Sequence, residues 1–112
     1  MDIIFINKKL EKKFSSPREI VKNWGAENAG KIMQRLVELD AAPCLLDICN
    51  LPGCDFHELI NNRKCQFSVS IKQPYRLVFV PDHNPIPRKA DGGVDLKLVT
   101  AICIMEVVNY HD

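Results

Sequence analysis

The chain has 112 residues, of which 46% are hydrophobic and 26% charged, and its formal net charge at pH 7 is +1. This length predicts a single domain over residues 1–112, and the composition excludes disordered, collagen-like and low-complexity proteins. No apolar run approaches the roughly 20 residues that cross a bilayer, and the N-terminus lacks the pattern of a signal peptide. We therefore expect a cytoplasmic protein with no membrane partner.

The five cysteines are Cys44, Cys49, Cys54, Cys65 and Cys103, and no two of them form a C-x-x-C pair. The first three recur at every fifth residue, a spacing that fits neither zinc sites nor redox motifs. All five lie in or beside apolar stretches, which is typical of small buried side chains in a reducing cytosol. We therefore predict no metal site.

The start of the chain predicts one strand and two short helices. Residues 3–6 are β-branched or aromatic, which favours a strand. Asn7 is suited to cap a basic helix that runs to about residue 14. Pro17 suits the first turn of a second helix that ends near Trp24.

The clearest helical signal covers residues 27–41, where apolar side chains recur at steps of three and four residues. This pattern predicts an amphipathic helix that Pro43 ends. Its solvent-facing side would carry Lys31, Gln34, Arg35 and Glu38. Residues 1–35 include eight basic and four acidic residues. This balance suits either an ordinary solvated surface or a basic contact face.

Beyond a turn at residues 50–53, the apolar pattern changes from helical spacing to strict alternation. Residues 64–71 are apolar at odd positions and polar at even ones, which predicts a strand, and a second strand follows from Tyr75. The apolar set is Cys65, Phe67, Val69 and Ile71 in the first strand and Tyr75, Leu77 and Phe79 in the second.

The alternation also predicts how these two strands pair. A slip of one residue would exchange the two faces, so the connecting loop must hold an odd number of residues. The simplest loop is residues 72–74, which places Val69 opposite Leu77. Arg76 then lies beside Ser70 on a polar, solvent-exposed face, away from the core.

The C-terminal part predicts a loop and a buried strand. Residues 81–93 hold three prolines and two adjacent glycines, which predicts a long exposed loop with too few apolar groups to pack by itself. We expect this loop to be mobile or to be ordered mainly by a partner. Residues 99–108 are nearly all apolar, which predicts a central strand covered on both faces. The element order is strand, helices, then three or four antiparallel strands, which predicts an α+β fold with helices on one side of the sheet.

Several short motifs in the chain resemble one bacterial family. They are NLPGCDFHEL (50–59), NRK (62–64), FSVS (67–70), YRLVF (75–79) and NYH (109–111). Together they resemble the HigB branch of the RelE superfamily, toxins of type II toxin–antitoxin operons also called plasmid maintenance killer proteins. The resemblance runs from about residue 3 to residue 111. It implies a RelE-like antiparallel sheet of about four to five strands with N-terminal helices packed on one face.

The resemblance implies a ribosome-dependent mRNA endonuclease, or mRNA interferase, that inhibits translation without a metal or cofactor. Its partners would be the ribosome, mRNA and a helix-turn-helix, HigA-like antitoxin. It would contact operator DNA only through that antitoxin. Cleavage in this family is attack of a ribose 2′-OH on its own phosphate. Such a reaction needs a base, positive charge on the phosphorane oxygens and a proton for the leaving 5′-oxygen.

The residues that match the family's catalytic positions are His57, Arg76, Tyr110 and His111. His57 would act as base or acid, and Arg76 would hold the scissile phosphate. Tyr110 and His111 would stack on a base or exchange a proton. The expected RNA-binding residues are Arg63, Lys64 and Asn109. Taken singly, these residues also suit ordinary roles: a hydrogen-bonded histidine, a surface arginine and a frayed C-terminus.

Four positions depart from the family pattern and keep two other hypotheses open. Ile60 replaces a lysine, Asn61 a glycine, Phe67 a tryptophan and Asn109 an aspartate. Loss of the lysine and the aspartate favours a degenerate member that binds its antitoxin, RNA or the ribosome without cutting. An unrelated alternative is a protein- or RNA-binding adaptor that uses the basic helical face and the loop of residues 81–93.

Overall fold

The computed structural model of this chain describes residues 1–59 and 65–109. Its strands are β1 (Asp2–Phe5), β2 (His57–Glu58), β3 (Phe67–Ser70), β4 (Tyr75–Pro81) and β5 (Ala101–Asn109). Its helices are α1 (Lys8–Lys13), α2 (Pro17–Trp24), α3 (Ala26–Ala41) and α4 (Leu45–Cys49), with a 3-10 turn at Leu96–Leu98. Within the described residues the strands form one sheet in the order β1-β5-β4-β3-β2, which confirms the α+β class. No helix there is long and apolar enough to span a membrane.

The first two helices begin and end where local sequence signals predict. The Asn7 side chain accepts a hydrogen bond from the Leu10 backbone N–H at 2.8 Å, which caps α1. Ser16 caps α2 in the same way, and a proline occupies the first position of that helix. Gly25 joins α2 directly to α3. This connection needs a φ of 85°, which residues other than glycine rarely adopt.

Helix α3 lies where the periodicity predicts it, but the predicted placement of Arg35 on its solvent side is wrong. Arg35 is only 4% exposed, whereas Val37 is 69% exposed. The Arg35 guanidinium reaches beyond the helix to the backbone carbonyls of Ser70 and Gly53, at 2.6 Å each. Helical periodicity carries no information about acceptors on distant segments, so it assigns a charged residue at the border of the apolar face to solvent.

The hydrophobic core lies between the helices and one face of the sheet. Buried residues of α2, α3 and α4 form one cluster with alternate residues of β3, β4 and β5. Its members include Ile20, Ile32, Leu45, Val69, Leu77, Phe79 and Ile104. The strand residues between these point to the other side of the sheet, here called the second face. It carries His57, Ser68, Ser70, Arg76 and Val78.

The predicted antiparallel sheet is wrong for one pair of strands. β1 runs parallel to β5, with Ile3 opposite Ile102, while the other neighbouring strands are antiparallel. Helices and three other strands separate β1 from β5 along the chain, so no hairpin forces the two to run in opposite directions. β5 lies between β1 and β4, which confirms that the C-terminal strand is internal to the sheet.

The pairing of β3 with β4 follows the predicted register. Val69 lies opposite Leu77, and Ser70 lies opposite Arg76, so Arg76 belongs to the second face as predicted. The expectation that this face is solvent-exposed is wrong, because Ser68 is fully buried and the Arg76 side chain is 12% exposed. The segment before β2 covers these residues, and the Ser70 backbone N–H donates to the carbonyl of Cys54 at 2.8 Å.

The loop of residues 81–93 does pack against the rest of the chain, contrary to the prediction. Ile86 contacts the core cluster, and Arg88 forms a β-bridge with Val94, which is buried. The His83 imidazole accepts a hydrogen bond from the Thr100 backbone N–H at 3.0 Å. Composition alone favours an unpacked loop here because it does not show that one isoleucine and one imidazole reach partners in the core and beside β5.

Candidate functional site

Four side chains converge at the edge of the second face formed by β2, β3 and β4, namely those of Asp55, His57, Ser68 and Arg76. His57 lies directly opposite Ser68 in the β2–β3 ladder, and Arg76 follows on β4, opposite Ser70. Because cross-strand partners share a face, the ladder alone brings His57 near Arg76. The fourth side chain, Asp55, comes from the segment that connects α4 to β2.

The Arg76 guanidinium is held by hydrogen bonds to two residues. Its Nε donates to Ser68 Oγ at 2.7 Å, and its Nη1 donates to Asp55 Oδ2 at 2.9 Å. Its Nη2 donates to the backbone carbonyl of Asp55. Since both the strand and the connecting segment hold it, the guanidinium has a fixed position on the second face.

The Asp55 carboxylate links the arginine to the histidine. Its Oδ1 lies 3.0 Å from His57 Nε2, while its Oδ2 accepts from Arg76. The hydrogen bond from Arg76 holds the pKa of Asp55 below its ordinary value; His57 acts in the same direction, and slight burial opposes both. Asp55 is therefore ionised at neutral pH. It is not among the residues predicted from the sequence. The available signal was a carboxylate two residues before His57.

The connecting segment is held from two sides by arginines. Arg35 Nη2 donates to the Gly53 carbonyl at 2.6 Å, and Arg76 Nη2 donates to the Asp55 carbonyl. Both Gly53 and Asp55 have a positive φ, 89° and 47°. Glycine and aspartate are among the residues that tolerate this backbone region, so this sequence can make the turn that aims Asp55 at His57.

The structure brings together two of the residues selected from the sequence. His57 and Arg76 meet through Asp55, as described above. Asn109, at the end of β5, lies opposite Tyr75, on the face away from Arg76. The other candidate residues, Arg63, Lys64, Tyr110 and His111, lie outside the described residues.

The arrangement combines a fixed cation with an imidazole ring, whose nitrogens can donate or accept a proton. A neutral imidazole that donates its Nε2–H to Asp55 has Nδ1 as its proton acceptor. His57 is exposed, and its Nδ1 has no hydrogen-bond partner in the described part of the chain. These are two of the groups that metal-independent cleavage of a phosphodiester needs. Residues 1–59 and 65–109 contain no group of three His, Cys, Asp or Glu side chains able to hold a metal ion.

A cavity of about 420 Å³ lies apart from these four side chains. The rings of Phe56 and Phe67 stack in its wall, with their centroids 5.3 Å apart. Its charged lining residues are Glu58, Lys89, Asp95 and Lys97, so the two signs balance. Phe67 belongs to the core side of the sheet, whereas His57 and Arg76 lie on the second face. We therefore place the candidate site at Arg76 and not in the cavity.

The lowered pKa of Asp55 predicts a small, pH-dependent contribution to stability. The ionised carboxylate stabilises the fold above its ordinary pKa of 3.8, and this contribution is lost as the pH falls through the lower folded-state pKa. We expect Asp55→Asn to lower the free energy of unfolding at pH 7 by about 0.5 kcal/mol, because solvent screens this half-exposed group. Urea unfolding of both proteins from pH 7 to about pH 3 should show the difference shrink below about pH 4. A difference that grows in acid would contradict this assignment.

Comparison of the chain with protein-family models, with curated protein sequences and with solved structures finds no match. The resemblance to HigB toxins therefore rests on the short motifs quoted above. The function is inferred from those motifs together with the geometry of Asp55, His57, Ser68 and Arg76.

Proposed function

We propose that this chain is a HigB-like toxin that cleaves ribosome-bound mRNA without a metal ion and is silenced by a helix-turn-helix antitoxin. The observation that carries the proposal is the convergence of Arg76 and His57 on a single carboxylate group on the second face of the sheet. A cation and a proton-exchanging ring are thus close enough to act on one phosphate group. The motifs at residues 50–59 and 75–79 support the same function independently of this geometry.

The proposed reaction follows from the roles of these groups. The imidazole of His57 takes the proton of a ribose 2′-OH, whose oxygen attacks the adjacent phosphorus. Arg76 stabilises the negative charge on the phosphorane oxygens, and the bond to the 5′-oxygen then breaks. The leaving 5′-oxygen takes up a proton, for which the resemblance suggests Tyr110 or His111. The products are a 2′,3′-cyclic phosphate and a free 5′-hydroxyl end.

The proposal is tested by inducing this gene alone in a bacterial host. We expect growth arrest and cleavage of translated mRNAs, with relief when the neighbouring antitoxin gene is expressed. The new 5′ ends should accept an adapter only after treatment with a polynucleotide kinase, because attack by the 2′-OH leaves 5′-hydroxyl groups. Normal growth with intact transcripts would contradict the nuclease proposal. New 5′-phosphate ends would contradict the proposed chemistry.

A second candidate function is binding without cleavage. The observation that favours it is the engagement of Arg76, since its Nε, Nη1 and Nη2 all donate to Ser68 or Asp55. The departures at Ile60 and Asn109 point the same way. This candidate function predicts that the chain forms a stable complex with the antitoxin or with ribosomes. In either case the mRNA stays intact. Sedimentation of the induced protein with ribosomes, measured beside mRNA integrity, separates the two functions.

A further inference from the structure

We propose that the Asp55 carboxylate occupies the position of the scissile phosphate and that RNA must displace it before cleavage. The inference builds on the proposed function, which identifies the incoming anion as a phosphodiester. In this arrangement the acidic side chain blocks the site until a substrate arrives.

The two oxygens of the Asp55 carboxylate contact Arg76 and His57 separately. Oδ2 accepts from the Arg76 guanidinium at 2.9 Å, and Oδ1 lies 3.0 Å from the His57 ring. Carboxylates and phosphates both accept charge-assisted hydrogen bonds from guanidinium groups. Two non-bridging oxygens of a phosphate can therefore take the same two contacts, one with the Arg76 guanidinium and one with the His57 ring.

The Asp55 carboxylate can leave this position while the Arg76 guanidinium stays in place. The side chain of Asp55 is 54% exposed, and Arg76 and His57 are its hydrogen-bond partners in the described part of the chain. Arg76 keeps its bonds to Ser68 Oγ and to the Asp55 backbone carbonyl when the carboxylate turns outward. Exposed ion pairs are weak, so an arriving phosphodiester can compete for the freed Nη1 donor.

The negative charge of Asp55 opposes phosphate binding at Arg76 while the carboxylate is in place. Asp55 is ionised at neutral pH, since the hydrogen bond from Arg76 keeps its pKa below the ordinary value. A carboxylate at this position therefore repels any phosphate that approaches Arg76. Removing its charge should strengthen phosphate binding, whereas a side chain that helped to bind phosphate would have the opposite effect when it is removed.

The test is a titration with inorganic phosphate and with an uncleavable 2′-deoxy dinucleotide, followed by NMR or calorimetry. Asp55→Asn and Asp55→Gly are chosen because both residues tolerate the positive φ at this position. We expect each variant to bind phosphate about tenfold more tightly than the unmodified protein, because one like charge near the anion is gone. Asp40→Asn, an exposed change of equal charge on α3, should bind like the unmodified protein.

The double variant Asp55→Asn/Arg76→Ala decides whether the gain comes from this site. We expect the gain to disappear in the double variant. Unchanged or weaker phosphate binding by both Asp55 variants would overturn the inference, and so would a gain that survives the loss of Arg76.

The titration also separates this inference from the proposed function, because it does not need cleavage. If mRNA stays intact but the Asp55 variants bind phosphate more tightly, the displacement of Asp55 is supported and the proposed nuclease activity is contradicted. A protein that cuts mRNA but shows no such gain contradicts the inference alone.

Discussion

Replacing Arg35 with alanine should lower the free energy of unfolding by about 3 kcal/mol, because its charge is buried and fully engaged. Its Nε and Nη2 donate to the carbonyls of Ser70 and Gly53 at 2.6 Å, and its Nη1 donates to Glu38 Oε1 at 2.9 Å. The truncation leaves two carbonyl groups and a carboxylate without these donors and opens a cavity beside α3. A loss of this size is a large fraction of the 5–15 kcal/mol typical of a whole domain.

The measurement is urea unfolding of Arg35→Ala beside two other variants. Arg35→Lys keeps the charge but cannot contact both carbonyls and Glu38 at once, so we expect about half of the loss. Lys31→Ala is the matched control, one turn earlier on the same helix and exposed, and should stay within about 0.5 kcal/mol. If Arg35→Ala is as stable as the control, Arg35 does not hold the Gly53 turn.

Arg76→Ala should reduce cleavage of ribosome-bound mRNA by about a hundredfold, the effect of losing about 3 kcal/mol of transition-state stabilisation. The cation that stabilises the phosphorane is then absent, while His57 remains. Arg76→Lys should recover part of the rate, because an ammonium group supplies charge without the planar array of donors. The rates are measured with purified ribosomes carrying a defined mRNA, at a temperature where every variant is folded.

The same variants separate a catalytic role of Arg76 from a structural one. Arg76→Ala should cost about 1–2 kcal/mol of stability, more than an exposed arginine would, because it leaves the buried Ser68 hydroxyl without its donor. Leu77→Ala is the control on the adjacent, fully buried position and should cost about 2–5 kcal/mol. Folded Leu77→Ala protein should cleave mRNA at the rate of the unmodified protein. A folded Arg76→Ala protein that still cuts would place the chemistry elsewhere.

The sequence by itself determined helices α1 to α3 and the register of the central strands, but it did not predict α4 or β2. The Asn7 cap of α1 depends on a hydrogen bond between residues three positions apart, so local sequence is sufficient to predict it. The alternation before and after residues 72–74 has a period of two, and only one register keeps both apolar sets on the same face. That register places Val69 opposite Leu77 and puts Arg76 on the second face.

Only the tertiary structure decided which polar side chains are buried and which of them meet. Arg35 contacts Gly53 across 18 residues of sequence, and Arg76 contacts the Asp55 carboxylate across 21 residues. Periodicity describes which face of an element is apolar, but it does not show which distant carbonyl or carboxylate will face a given guanidinium. The parallel pairing of β1 with β5 is of the same kind, since no short loop links the two strands. These features arise when separate segments dock against one another, because each needs donors and acceptors that are adjacent only in the folded chain.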